Sequence, residues 1–86
     1  MLKLKVVSPE KILFNGDVEM VKVPGVVGEF EILNNHAPIV SALQKGIVEY
    51  APAGASERVR INVAGGFVEV LKNEVSLCVE REEASE

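Results

Sequence analysis

The feature that most constrains this chain is a hydrophobic period of two. Leu2, Leu4 and Val6 alternate with Lys3 and Lys5, and Val59, Ile61 and Val63 alternate with Arg58, Arg60 and Asn62. Successive side chains of a strand point to opposite faces, so this pattern buries one face of a sheet and wets the other. Further strands are read at Ile12-Leu13-Phe14, Val18 to Val23, Gly28 to Leu33, Ile47 to Tyr50, Phe67 to Leu71 and Val75 to Val79. No window supports a helix of about ten residues or more. The segment Ile39 to Leu43 is open between a strand and a helical turn.

Turn chemistry separates these runs. Ser8 to Lys11, Pro24-Gly25 and Asn34 to Pro38 are polar or proline-glycine breaks, and Asn15-Gly16-Asp17 reads as a tight turn or bulge. Pro52 to Ser56 reads as a hairpin tip, and Lys72-Asn73-Glu74 is short enough for a hairpin turn. Gly65-Gly66, lacking two Cβ atoms, permits a bulge or a close backbone crossing. Short strands at such intervals predict an all-β, antiparallel sandwich or barrel. With 86 residues there is room for one domain. Its core must be aliphatic, because aromatics are only 5% of the chain.

Charge and composition exclude several functions. The net charge is −4, from 13 acidic and 9 basic residues, and no basic cluster offsets it, so nucleic acid is not an expected ligand. The single cysteine, Cys78, excludes an internal disulfide. No apolar run approaches the roughly 20 residues that cross a bilayer, and the start, Met1-Leu2-Lys3-Leu4-Lys5, does not resemble a signal peptide. A cytosolic protein is expected, reaching a membrane only through a partner. Residues 1–80 are assigned to the sandwich, and 81–86 to a solvated, disordered acidic tail.

Catalytic equipment is sparse. His36 is the only histidine and lacks a nucleophile and an orienting group in its neighbourhood. It reads as a loop anchor, while Asn34 and Asn35 read as loop formers that bond their own backbone. One His and one Cys cannot furnish a zinc site. Glu29 and Glu31 share a strand face and read as a solvated pair. No phosphate-cradling motif follows the glycines, and no cofactor or metal is expected. Apolar residues of both parities, at Val26-Val27, Ile47-Val48 and Phe67-Val68, leave an outer face suited to a protein interface.

Three ordered blocks add a resemblance. They are Gly28-Glu29-Phe30-Glu31-Ile32-Leu33-Asn34-Asn35-His36-Ala37-Pro38-Ile39-Val40, Ala64-Gly65-Gly66-Phe67-Val68-Glu69-Val70, and Val6-Val7-Ser8-Pro9-Glu10 leading to Phe14-Asn15-Gly16. Together they span about residues 2–80 and resemble the epsilon subunits of bacterial F-type ATP synthases. The resemblance implies a flattened ten-stranded β-sandwich, with Ile39 to Leu43 as strand. It implies a non-catalytic central-stalk subunit that links gamma to the c-ring and so couples proton flow to ATP synthesis. Such a subunit sits peripherally on the cytoplasmic face of the bacterial inner membrane.

By position, Glu29, Phe30, Glu31 and His36 are expected on the c-ring side; Val40, Ala42 and Val68, read as apolar residues at outer positions, are expected on the gamma side. Glu31 departs from the family, which often has Gly there. The family usually continues into two C-terminal helices, so the chain is expected to be a short form with the sandwich alone. The alternative is a small carrier or ligand-binding β-sandwich, for which Lys72 would be the modifiable lysine.

Overall fold

A computed structural model describes residues 1–82 of the chain. It contains seven strands: β1 (Leu2–Val7), β2 (Ile12–Gly25), β3 (Gly28–Ile32), β4 (Ile39–Leu43), β5 (Gly46–Pro52), β6 (Val59–Leu71) and β7 (Glu74–Arg81). The class is the expected one, an all-β sandwich, and Ile39–Leu43 is a strand. The count is seven rather than ten; β2 and β6 are single long strands of 14 and 13 residues that each serve twice, which accounts for two of the missing three. The first part of β2 pairs β1, and its second part pairs β3 and β5. Likewise β6 pairs β5 with its first residues and β4 with its last.

The pairings therefore sort into two runs. One is β2 (first half), β1, β7, β6 (second half) and β4; the other is β3, β2 (second half), β5 and β6 (first half). The molecule's shortest extent, 21 Å, suits two layers whose backbones stack about 10 Å apart. Each long strand changes layer at an irregularity, between Val18 and Met20 in β2 and between Val63 and Gly65 in β6. A bulge bends its strand and raises local twist, which is what a corner between layers needs. It also shifts parity, so Met20 and the adjacent Val21 are both buried.

Between the layers lies an aliphatic core. Leu2, Leu4, Val6, Val18, Val21, Val23, Ile32, Val48, Val63, Val68, Val70 and Leu77 are all at most 2% exposed. Phe14 and Tyr50 close one part of it with ring centroids 4.6 Å apart. Burial of such side chains, each contributing about 1.5–3 kcal/mol, is the dominant favourable term.

Several expectations change. Asn15-Gly16-Asp17 is neither turn nor bulge; all three residues pair in register with Lys5, Leu4 and Lys3 of β1. The sheet is not wholly antiparallel, for β1 and β7 run parallel from Lys3↔Glu74 to Val7↔Cys78. A parallel pair needs a long connection, and the rest of the chain supplies it. The Gly65-Gly66 expectation holds. So does the Lys72-Asn73 hairpin, with φ of 51° and 63° at its two residues, as in a type I′ turn. Asn35 (φ 67°) bonds a different turn rather than its own backbone: its N–H donates to Asn73 Oδ1 at 2.6 Å, and Asn73 Nδ2 donates to Asn35 Oδ1 at 3.2 Å. β7 extends through Arg81, and residues 83–86 of the expected tail lie outside the described residues.

Gly66 has φ +146°, and a Cβ there would collide with the Cys78 carbonyl and the Val79 Cα. At Gly54 (φ +79°) a Cβ would meet nothing within 4 Å. Gly66→Ala is expected to lower unfolding free energy in urea by more than about 2 kcal/mol, and Gly54→Ala by only about 1 kcal/mol. Equal losses would contradict this account of the β6 corner.

Candidate interaction site

The outer surfaces of the two layers differ in chemistry. On the layer containing β4, the second half of β6, β7 and β1, register aligns Ala42 with Phe67, Phe67 with Cys78, and Cys78 with Val7. Phe67 is 61% exposed and Val40, beside it on β4, is 71% exposed. Val7, Pro9 and Cys78 line a shallow apolar depression that continues this row. The result is a contiguous apolar strip on an outer sheet face.

Val68 does not belong to that strip. It is fully buried against the core, and the expectation of an outer position for it is corrected. Parity along β6 alternates strictly beyond the bulge, so it is Phe67, one residue earlier, that faces outward. Of the three residues expected on this side, Val40 is exposed and Ala42 half-buried.

On the other layer the outer face is ionic. Glu31, Lys22, Glu49 and Arg60 follow one another across β3, β2, β5 and β6 in register. Cross-strand neighbours of opposite sign stabilise a sheet modestly. Glu49 is the anchor: Arg58 Nη1 donates to its Oε2 at 2.8 Å, and Arg60 Nε donates to its Oε1 at 3.2 Å. These arms cover the carboxylate, leaving Glu49 only 9% exposed. The hydrogen bond from Arg58 holds the Glu49 carboxyl below its ordinary value of 4.5, with burial opposing and the charge of Arg60 adding to the shift. Glu49 in turn holds the Arg58 guanidinium more firmly charged, and the carboxylate of Glu31 adds to this. Sequence reading missed this cluster. Its trace was the Arg-x-Arg spacing of residues 58 and 60 on one strand face, but the strand that would lie beside it was not legible.

Glu29 and Glu31 are exposed on β3, both on this ionic face, and with Lys22 and Phe30 they border one shallow depression. Phe30 turns the other way. It is half-buried against the core, with its ring close over Gly25. His36 is not part of that depression. It sits in the following turn, where its N–H donates to the Leu33 carbonyl at 3.2 Å and its Nδ1 lies 2.7 Å from the Ala37 carbonyl oxygen. Asn35 ties this turn to the Lys72-Asn73 hairpin, so His36 is positioned by a turn-to-turn clasp.

A fold of two bulge-cornered layers with partner-type outer faces defines a small interaction module, and comparison with known proteins specifies which. The family described as ATP synthase, Delta/Epsilon chain, beta-sandwich domain matches residues 1–85, and the chain belongs to this family. Among curated relatives, the ATP synthase epsilon chain of Desulfosudis oleivorans is 40% identical over 85 residues, covering 99% of this chain and 63% of its own length. That of Leptospira interrogans is 47% identical over 77 residues, covering 88% and 58%. The chain thus spans about six-tenths of the length of these relatives. Two solved structures share the fold. A chain in the Tetrahymena thermophila mitochondrial ATP synthase central stalk/c-ring structure aligns with TM-score 0.80 at 18% identity, covering 92% of this chain and 63% of that one. One in the Euglena gracilis mitochondrial ATP synthase OSCP/F1/c-ring structure aligns with TM-score 0.84 at 21% identity, covering 91% and 49%.

The Glu49 cluster has a defined pH signature. A carboxyl whose folded pKa is depressed contributes stability above its unfolded value, and that contribution is lost as pH falls through the folded one. Unfolding free energy is therefore expected to drop below pH 4.5 in the native chain and to drop less steeply in Glu49→Gln. Urea titrations at pH 7 and pH 3 check this. Identical pH slopes would show that the two arginines do not hold the carboxylate charged.

Proposed function

We propose that this chain is the β-sandwich part of an epsilon-type rotor subunit of a proton-translocating ATP synthase, linking the gamma subunit to the c-ring. The observation that carries the reading is family membership across residues 1–85. The subunit performs no bond chemistry in this reading. It turns with the rotor and passes torque between its partners, while ATP is made elsewhere in the complex. It lies peripherally at the cytoplasmic face of the bacterial membrane and is held there by the complex.

The geometry suits that task. Among the described residues every strand except β3 has at least two strand neighbours. A sheet closed in this way resists shear through ladder hydrogen bonds rather than through side-chain repacking. The apolar strip of Val40, Ala42 and Phe67 is assigned to gamma, since apolar rows on a small domain are typical of protein contacts. The exposed pair Glu29 and Glu31, with the adjoining turn at His36, is assigned to the c-ring side. Phe30 supports that edge from beneath.

Mixing the purified chain with the gamma subunit of the same organism is expected to yield a complex that co-elutes in gel filtration. Val40→Asp combined with Phe67→Asp is expected to weaken it at least tenfold without lowering Tm, because both side chains are already in solvent. Failure of two folded proteins to associate would overturn the gamma assignment. In membrane vesicles, Glu29→Lys with Glu31→Lys is expected to reduce ATP-driven proton pumping. Unchanged pumping would remove the c-ring contact from this edge.

A further inference from the structure

The outer edge of β3 is open. Among the described residues β3 pairs with β2 alone, whereas each other strand has at least two partners, β4's second being the single pair of Leu43 with Gly25. The phase of the β2–β3 ladder shows which backbone groups are free. Pro24, which has no N–H, stands opposite Glu29, and Lys22 opposite Glu31. The Pro24 carbonyl accepts instead from Gln44 N–H, on the side away from β3. These are the non-hydrogen-bonded pairs of the ladder, so the N–H and C=O of Glu29 and Glu31 point outward from the edge. Exposed unpaired backbone of this kind is a template for another strand.

The side chains on that edge say which strand it accepts. The ionic row reads Glu31, Lys22, Glu49, Arg60 from β3 inward. It alternates in sign and ends at the edge on a carboxylate, and neither Glu29 nor Glu31 has an ion-pair partner within 4.0 Å among the described residues. A second copy of this chain, pairing β3 to β3, would set these carboxylates against one another, which is unfavourable. A strand carrying Lys or Arg at alternate positions would continue the alternation by one step.

We infer that the β3 edge is a strand-addition site for an extended basic segment of a partner protein, taken up antiparallel, with cationic side chains opposite Glu29 and Glu31. This deepens the stalk reading by naming the chemistry of the segment received on the side assigned to the c-ring. It is tested on the isolated chain, so its failure leaves the gamma and proton-pumping experiments intact, and theirs leaves it intact.

The probe is an acetylated, amidated heptapeptide alternating Lys and Val, titrated into isotope-labelled chain and followed by NMR. The largest amide shifts are expected at residues 28–32, with hydrogen exchange of the Glu29 and Glu31 amides slowed at least tenfold. In antiparallel addition the lysine amides face β3. N-methylation of those amides should therefore weaken binding at least tenfold, and N-methylation of the valine amides should not. Glu29→Lys with Glu31→Lys should abolish binding of the Lys peptide and admit a Glu-Val peptide instead. Equal binding by both methylated peptides would reduce the effect to charge attraction and overturn strand addition. No binding, or shifts centred away from β3, would overturn it as well.

Discussion

At Gly66 the β6 backbone passes so close to β7 that any side chain would strike the Cys78 carbonyl. The rest of the sandwich depends on this approach. Just before it, the ladder slips between Val63 and Gly65, and the strand leaves β5 to pair with β4 while keeping β7 on its other side. The layers share a core because β6, with β2 opposite, crosses between them as unbroken backbone. The same corner resets parity, driving Val68 inward and Phe67 outward. A local steric requirement at one glycine thus decides which face of β6 meets solvent, and so which residues a partner can reach.

The two outer faces that result are not interchangeable. An apolar strip gains by being covered and favours a partner of similar character. The ionic row is largely satisfied within the chain, since Glu49 is clasped by Arg58 and Arg60. Exposed ion pairs contribute little to stability, yet here two guanidinium groups of β6 and the residue before it converge on one carboxylate of β5. Opposite chemistries on opposite layers give one small domain two separate surfaces. That is the property the stalk reading needs.

Much of this was legible in sequence, and what was not has a common cause. Alternation located the strands around Leu4, Ile61 and Leu77, and the glycines at 65 and 66 announced the corner. These are local signals, carried by a few consecutive residues. Asn15-Gly16-Asp17 misled because its turn chemistry was overridden by five in-register pairings of β1 with β2, from Leu2↔Val18 to Val6↔Phe14. The parallel β1–β7 pair joins residues about seventy positions apart, and nothing local encodes it. Val68 was misplaced because parity shows that two faces differ without showing which is core. The Glu49 cluster escaped for the same reason, its members being adjacent only once β5 and β6 are known to pair. The family resemblance recovered the overall fold but not these particulars.

At β3 closure of the sheet stops along the whole strand, and the chemistry of that edge bears on why. Natural sheets commonly guard an edge with charge, because an unguarded strand recruits copies of itself. Two carboxylates on one face accomplish that here, and Phe30 and Ile32 behind them keep the strand anchored to the core. A guard made of like charges is selective rather than absolute. It repels an identical strand and attracts one of opposite sign. Lys22 stands opposite Glu31 in register, but no ion pair forms between them within 4.0 Å among the described residues. The edge therefore stays net negative, and the feature that keeps the chain from pairing with itself also sets the sign of whatever it does accept.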